Sequence, residues 1–190
     1  MSARASEGWL ASQGRWMLGD VLRIVLAASV PLAWAVAGGP AAAAMLLALG
    51  GAMALRFARM PLVTDLLGQL VLLAGAWFAA LGTFEVVPGL DTLSHFASGA
   101  VLALLSRELL LQLRLLSNAP GRRAATARVL HTSTAVLLLG FVWELGEWAG
   151  HALITRDIRV GYEDTMLDLA ADLVGAVVAA AAVELAARAA

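Results

Sequence analysis

The sequence predicts an all-α, polytopic membrane protein, a bundle of six transmembrane helices, and three observations carry that reading. Hydrophobic residues make up 61% of the chain and charged residues 14%, with a mean hydropathy of +0.84, outside the balance of a water-soluble domain. Apolar runs recur at about the 20 residues that a hydrocarbon core about 30 Å thick requires. Glycine, proline and polar clusters separate those runs.

The spans fall at about 21–38, 41–55, 62–83, 90–113, 129–152 and 167–187, within a single membrane domain covering 1–190. The first could pass for a signal peptide, because Arg15 and Arg23 precede an apolar run ending in Ala33-Trp34-Ala35. The polar-to-mixed stretch before that run is long for such a leader, so it is read as a span. Gly38-Gly39-Pro40 breaks it from the second span, which is short and glycine-containing. Arg56 to Pro61 introduces the third, Val87-Pro88-Gly89 the fourth and Asn118 to Arg123 the fifth; the polar stretch Thr155 to Asp164 leads to an alanine-rich sixth. In that last span Gly175, Ala179, Ala182 and Ala186 form a small-residue stripe suited to close helix approach or to a homo-oligomer face.

Arginine placement orients the bundle. Arg4, Arg15, Arg56, Arg59, Arg114, Arg122, Arg123, Arg128 and Arg188 fall on one side, and Arg156 and Arg159 on the other. The positive-inside bias therefore predicts cytoplasmic termini in a bacterial inner membrane. Trp77, Phe78, Phe84, Trp143 and Trp148 fall toward the outer interface, Trp9 and Trp16 toward the inner one.

All 13 basic residues are arginine, so Schiff-base cofactors that need a lysine amine are excluded, and the absence of cysteine excludes thiolate sites and disulfides. Six acids remain inside or at the mouths of the last three spans: Asp91, Glu144, Glu147, Asp164, Asp168 and Asp172. An acid at a helix centre costs about 2.5–3.5 kcal/mol on insertion scales, so something must compensate the set. A rise of about 1.5 Å per residue places all six, with His95 and His151, in the outer half of the membrane. Spacings of three and four put Asp91 and His95 on one face, Glu144, Glu147 and His151 on a second, and Asp164, Asp168 and Asp172 on a third.

Oxygen donors joined by imidazole suit a divalent metal ion: Mg²⁺, Mn²⁺, Ca²⁺ or Zn²⁺, with Fe²⁺ also accommodated. The candidate ligands are His95, Glu144, Glu147, Asp168, Asp172, Asp91 and Asp164. Asp91 and Asp164 have a second reading as helix N-caps. His151 has one as a residue reaching water at the rim, and His131 reads as an interface histidine at the inner end.

Asp91-x3-His95-x3-Gly99, Trp143-Glu144-x2-Glu147 and Asp164-Thr165-x2-Asp168-x3-Asp172-x2-Gly175 resemble the bacterial inner-membrane family typified by YjdF, and more distantly the VanZ-like proteins. The resemblance covers about Leu90 to Ala176 and implies a multi-helix membrane protein whose signature is those polar residues; it implies no reaction.

The chemistry of the residues favours a metal-dependent hydrolase of a membrane lipid or lipid-linked phosphate, with Glu147 as ligand or general base and Arg159 as substrate clamp. Nucleic acid is not expected as a partner. Cation or proton-coupled transport is the alternative, and a di-iron oxidoreductase the third reading. Transport would require polar residues continuing to the inner face, where the sequence points to Asp65, Gln69, Arg107 and Glu108.

Overall fold

Gly38 turns the chain back on itself within the first helical element. A computed structural model describes residues 16–158 and 160–189, and α1 spans Gly19–Phe57 with Gly38 at φ 80°, ψ −167°. That left-handed backbone is open to glycine and costly for other residues. Pro40 follows in the first turn of the second limb, where a missing N–H is harmless. The limbs run antiparallel: Asp20 pairs with Arg56, and Arg23 Nε donates to the Ala52 carbonyl at 3.0 Å. Leu26, Ala33, Met45, Ala48 and Ala52 are buried along the seam, so the Gly-Gly-Pro break read from the sequence is a helical hairpin turn.

After α1 come α2 (Leu62–Ala80), the one-turn α3 (Thr83–Val86), α4 (Leu90–Gln112), α5 (Arg122–Leu153) and α6 (Tyr162–Ala189), with no strand among the described residues. Four of these, α1, α2, α5 and α6, are long and apolar enough to cross a membrane. Their large apolar side chains point outward: Leu46 and Leu47 on α1, Leu138 and Phe141 on α5, and Val174 and Val178 on α6 are exposed. Charged and polar side chains lie inside, the reverse of a water-soluble fold.

Two helices run past their expected ends. α5 begins at Arg122 rather than about 129, and α6 at Tyr162 rather than about 167, because an aqueous turn of helix need not be apolar. The expectations resting on Arg4, Trp9, Arg15 and Arg159 lie outside the described residues.

The most extensive helix contact is between α4 and α6, with α5 against both. It is a backbone-to-backbone crossing. A Cβ on Gly99 would collide with the Asp172 main chain, and one on Gly175 with the Phe96 carbonyl. Leu55, Ala58, Met60, Val101 and Leu105 join the α1–α2 hairpin to α4.

The half of the bundle that holds Asp65, Gln69, Arg107 and Glu108 is more polar than the sequence suggested. Beyond Asp65, Gln69, Arg107 and Glu108, the structure buries Asp20, Arg23, Arg128 and Glu184 there. Arg23 bridges Asp20 and Asp65. Glu184 accepts from Arg107 Nη2 at 3.0 Å and from Arg128 Nη2 at 2.6 Å, while Arg128 Nη1 donates to the Ser117 and Ala119 carbonyls, each at 3.0 Å. These charges neutralise one another inside a low-dielectric bundle, which is the condition for burying them.

Candidate functional site

The start of α4, the end of α5 and the start of α6 meet at one end of the bundle and bring the three sequence stripes together. Helical spacing aligns each stripe, and the Gly99–Gly175 crossing sets the close separation of α4 and α6.

His95 is the hub. Its Nε2 lies 3.8 Å from Asp91 Oδ1 and 3.8 Å from Asp168 Oδ2, and its Nδ1 lies 3.4 Å from Asp172 Oδ1. Asp168 and Asp172 are buried, at 4% and 5% exposure. One ligand atom from each of Asp91, His95 and Asp168 falls within 4.8 Å of the others. Ions bound at about 2.0–2.6 Å separate opposite ligands by about 4–5 Å, so the three atoms fit around one divalent cation.

Glu144 comes from α5, also buried, and accepts a hydrogen bond at Oε2 from Thr165 Oγ1 on α6 at 2.8 Å. Its Oε1 is buried with no protein partner. A carboxylate oxygen left so in a membrane interior calls for a cation, a proton or water. Glu147, half-buried one turn nearer the rim, lies in the electrostatic field of Glu144, His95, Asp91 and Asp168.

Asp91 does not cap α4: the capping position is Gly89, without a side-chain hydrogen bond, and Asp91 sits inside the first turn facing His95. Asp164 also lies within the first turn of its helix, exposed at the mouth of the group. His151 stays apart. Its Nδ1 contacts the Ile158 carbonyl at 2.5 Å and its Nε2 the Arg156 Nη1 at 2.9 Å, so it holds the 156–158 segment to the end of α5. His131, at the opposite end, contacts the Ala127 carbonyl at 2.7 Å.

The sequence reading gave Thr165 no role beyond its place in the motif and passed over Gly140. Thr165 is one residue beyond Asp164 and four before Leu169, so its reach toward α5 shows only once the helices are assembled. Gly140 gives Asp172 its room: a Cβ there would stand 2.6 Å from Asp172 Oδ2.

Inverted burial and a carboxylate–histidine cluster at one end define a helical membrane protein. The match to a family model described as a predicted membrane protein (DUF2238) runs over residues 11–189, and the chain belongs to that family. The YjdF-type resemblance lies within this family; the more distant VanZ likeness gains no support from the match. No curated protein and no solved structure matches the chain.

Proposed function

We propose that this protein is a six-span bacterial inner-membrane protein that uses a divalent cation to hydrolyse a lipid or lipid-linked phosphate at the outer leaflet. Each limb of α1 is about 28 Å long at 1.5 Å per residue, enough to cross the hydrocarbon core, and the charged ends of α4 do not prevent it from spanning inside a bundle. Arginine bias assigns the termini to the cytoplasm and the carboxylate cluster to the outer half.

One observation carries the site reading: the buried Glu144 Oε1 without a protein partner, beside carboxylates grouped on His95. Asp91, His95 and Asp168 would hold the cation and Glu144 would offer it a further oxygen. When bound, such an ion supplies Lewis acidity and lowers the pKa of water. Glu147, nearer the rim, is placed to take a proton from an attacking water. Arg156, held by His151, is a cation available to a phosphate approaching this mouth; the clamp role expected of Arg159 falls on a residue outside those described. The lipid part of the reading rests on surroundings: Leu93, Trp148, Leu153, Ile154, Tyr162 and Met166 are exposed around the same end. An amphiphile entering sideways would keep its chains in the bilayer.

Transport is the second reading, favoured by Ser106, Thr132, Ser133 and the Glu184 ion group, which extend polarity toward the inner end. Against it, Ala103, Val136 and Ala176, all fully buried, form an apolar layer between Asp172 and that group. A di-iron centre of the bundle type takes a histidine from each of two helices, and His95 alone joins this cluster among the described residues.

The test is elemental analysis of detergent-purified protein after loading with Mg²⁺, Mn²⁺, Ca²⁺ or Zn²⁺. Stoichiometric metal in wild type, lost in Asp168→Ala and His95→Ala, is expected, followed by turnover in a screen of phospholipids and polyprenyl phosphates. A metal-free wild type after reloading overturns the hydrolase. Ion flux in liposomes without turnover replaces it with the transporter.

A further inference from the structure

Building on the metal-site reading above, we infer that Asp172 is a positioning residue: its carboxylate holds His95 by Nδ1, so that the Nε2 lone pair faces Asp91 and Asp168. Residue spacing alone places Asp172 with the ligands; the ring geometry separates it from them. The two imidazole nitrogens point to opposite sides of the ring. Asp91 and Asp168 are on the Nε2 side at 3.8 Å each, and Asp172 is on the Nδ1 side at 3.4 Å. A cation shared by Nε2 and the first two acids therefore has the imidazole between it and Asp172.

The surroundings keep Asp172 there. Its main chain lies against Gly99 of α4, and its Oδ2 fills the space left by the missing side chain of Gly140 on α5. The side chain is buried, so swinging to the other face of His95 would mean leaving that niche. A carboxylate accepting from the nitrogen opposite the metal selects the tautomer and aims the ring, and losing it typically weakens metal affinity about 10–100-fold without removing a ligand.

Two measurements test this in the full chain. In metal-free protein, at a pH high enough for neutral imidazole, ¹⁵N NMR should show His95 protonated at Nδ1, the signal being assigned by its disappearance in His95→Gln. Asp172→Asn should retain that tautomer, because the side-chain carbonyl still accepts the bond, whereas Asp172→Ala should shift it toward Nε2–H. In Mn²⁺ titrations, Asp172→Ala should bind about 10–100-fold more weakly but reach the wild-type stoichiometry at saturation, with Asp172→Asn between the two. Asp168→Ala should fall short of that stoichiometry.

An Asp172→Ala protein that loses metal as completely as Asp168→Ala would make Asp172 a ligand and overturn the inference. An unchanged tautomer in Asp172→Ala would also overturn it. A wild type that binds no Mn²⁺ overturns the metal reading instead, while the NMR comparison still decides whether Asp172 governs His95. If Asp172→Ala fails to fold, Gly140→Ala carries the same test, since its methyl group crowds Asp172 Oδ2.

Discussion

At the scale of single residues, the hydrogen bond from Thr165 to Glu144 sets the orientation of the one carboxylate that α5 buries in the site. Replacing Thr165 with valine keeps the shape and removes the donor. Both Glu144 oxygens would then be without protein partners, at a cost of about 1–3 kcal/mol for the newly orphaned atom. Because Thr165 orients a carboxylate offered to the metal, Thr165→Val should also weaken Mn²⁺ binding about tenfold or more, and Thr165→Ser should stay near wild type. Calorimetric titration of the three proteins checks this. His151→Ala should leave metal stoichiometry unchanged, because both ring nitrogens are committed to the 156–158 segment. Sequence spacing made His151 equivalent to Glu144 and Glu147, since i, i+3 and i+7 share a helix face. What distinguishes it is a loop folding back onto the helix end, a contact between residues outside the helical repeat. Asp91, His95 and Asp168 were legible for the opposite reason: each projects from a regular helix whose depth and face follow from counting.

At the scale of elements, the fold depends on how closely α4 and α6 cross. Gly99 and Gly175 face main chain rather than flexible side chains, so a larger residue cannot be accommodated by a rotamer change. Gly175→Val should push the helices apart, at about 1–3 kcal/mol or more for the overpacking, and pull His95 away from Asp168 at the same time. Thermal unfolding in detergent and metal content should fall together in this variant. Gly146→Ala, on α5 with no atom within 4 Å of the added carbon, should change neither. The small-residue stripe containing Gly175 was visible in the sequence, but its partner was not, and the same stripe would serve a dimer face equally well. The first hairpin was easier to read. Gly-Gly-Pro is a chemical interruption at the midpoint of an apolar stretch, and two limbs of that length have little choice but to return. Helix ends outside the apolar core were harder, because hydropathy marks where the membrane stops and not where hydrogen bonding does.

At the scale of the whole molecule, two polar centres share α4, α5 and α6, separated by the Ala103–Val136–Ala176 layer. Glu184, which anchors one of them, went unread because a lone acid near the end of an alanine-rich helix resembles a solvated terminus. The depth count that grouped the acids around His95 would have found its partners, since Arg107 and Arg128 stand at the same level on the neighbouring helices. The two centres should respond to mutation in different ways. Glu184→Ala removes the shared counter-charge of two guanidinium groups and leaves Arg128 buried and unpaired, a change that typically costs about 3–5 kcal/mol. Because the Glu184 group lies beyond this apolar layer and shares no contact with His95, its loss should add to changes at the His95 site rather than couple to them. The expected result is a large drop in unfolding temperature for Glu184→Ala, with Mn²⁺ affinity in the folded fraction within about twofold of wild type. Asp168→Ala should do the converse, losing metal while the Arg107–Glu184–Arg128 group keeps its own end of the bundle assembled. If Glu184→Ala instead abolished metal binding in protein that remains folded, the apolar layer would not insulate the centres, and a path linking the two faces would become the better account of this bundle.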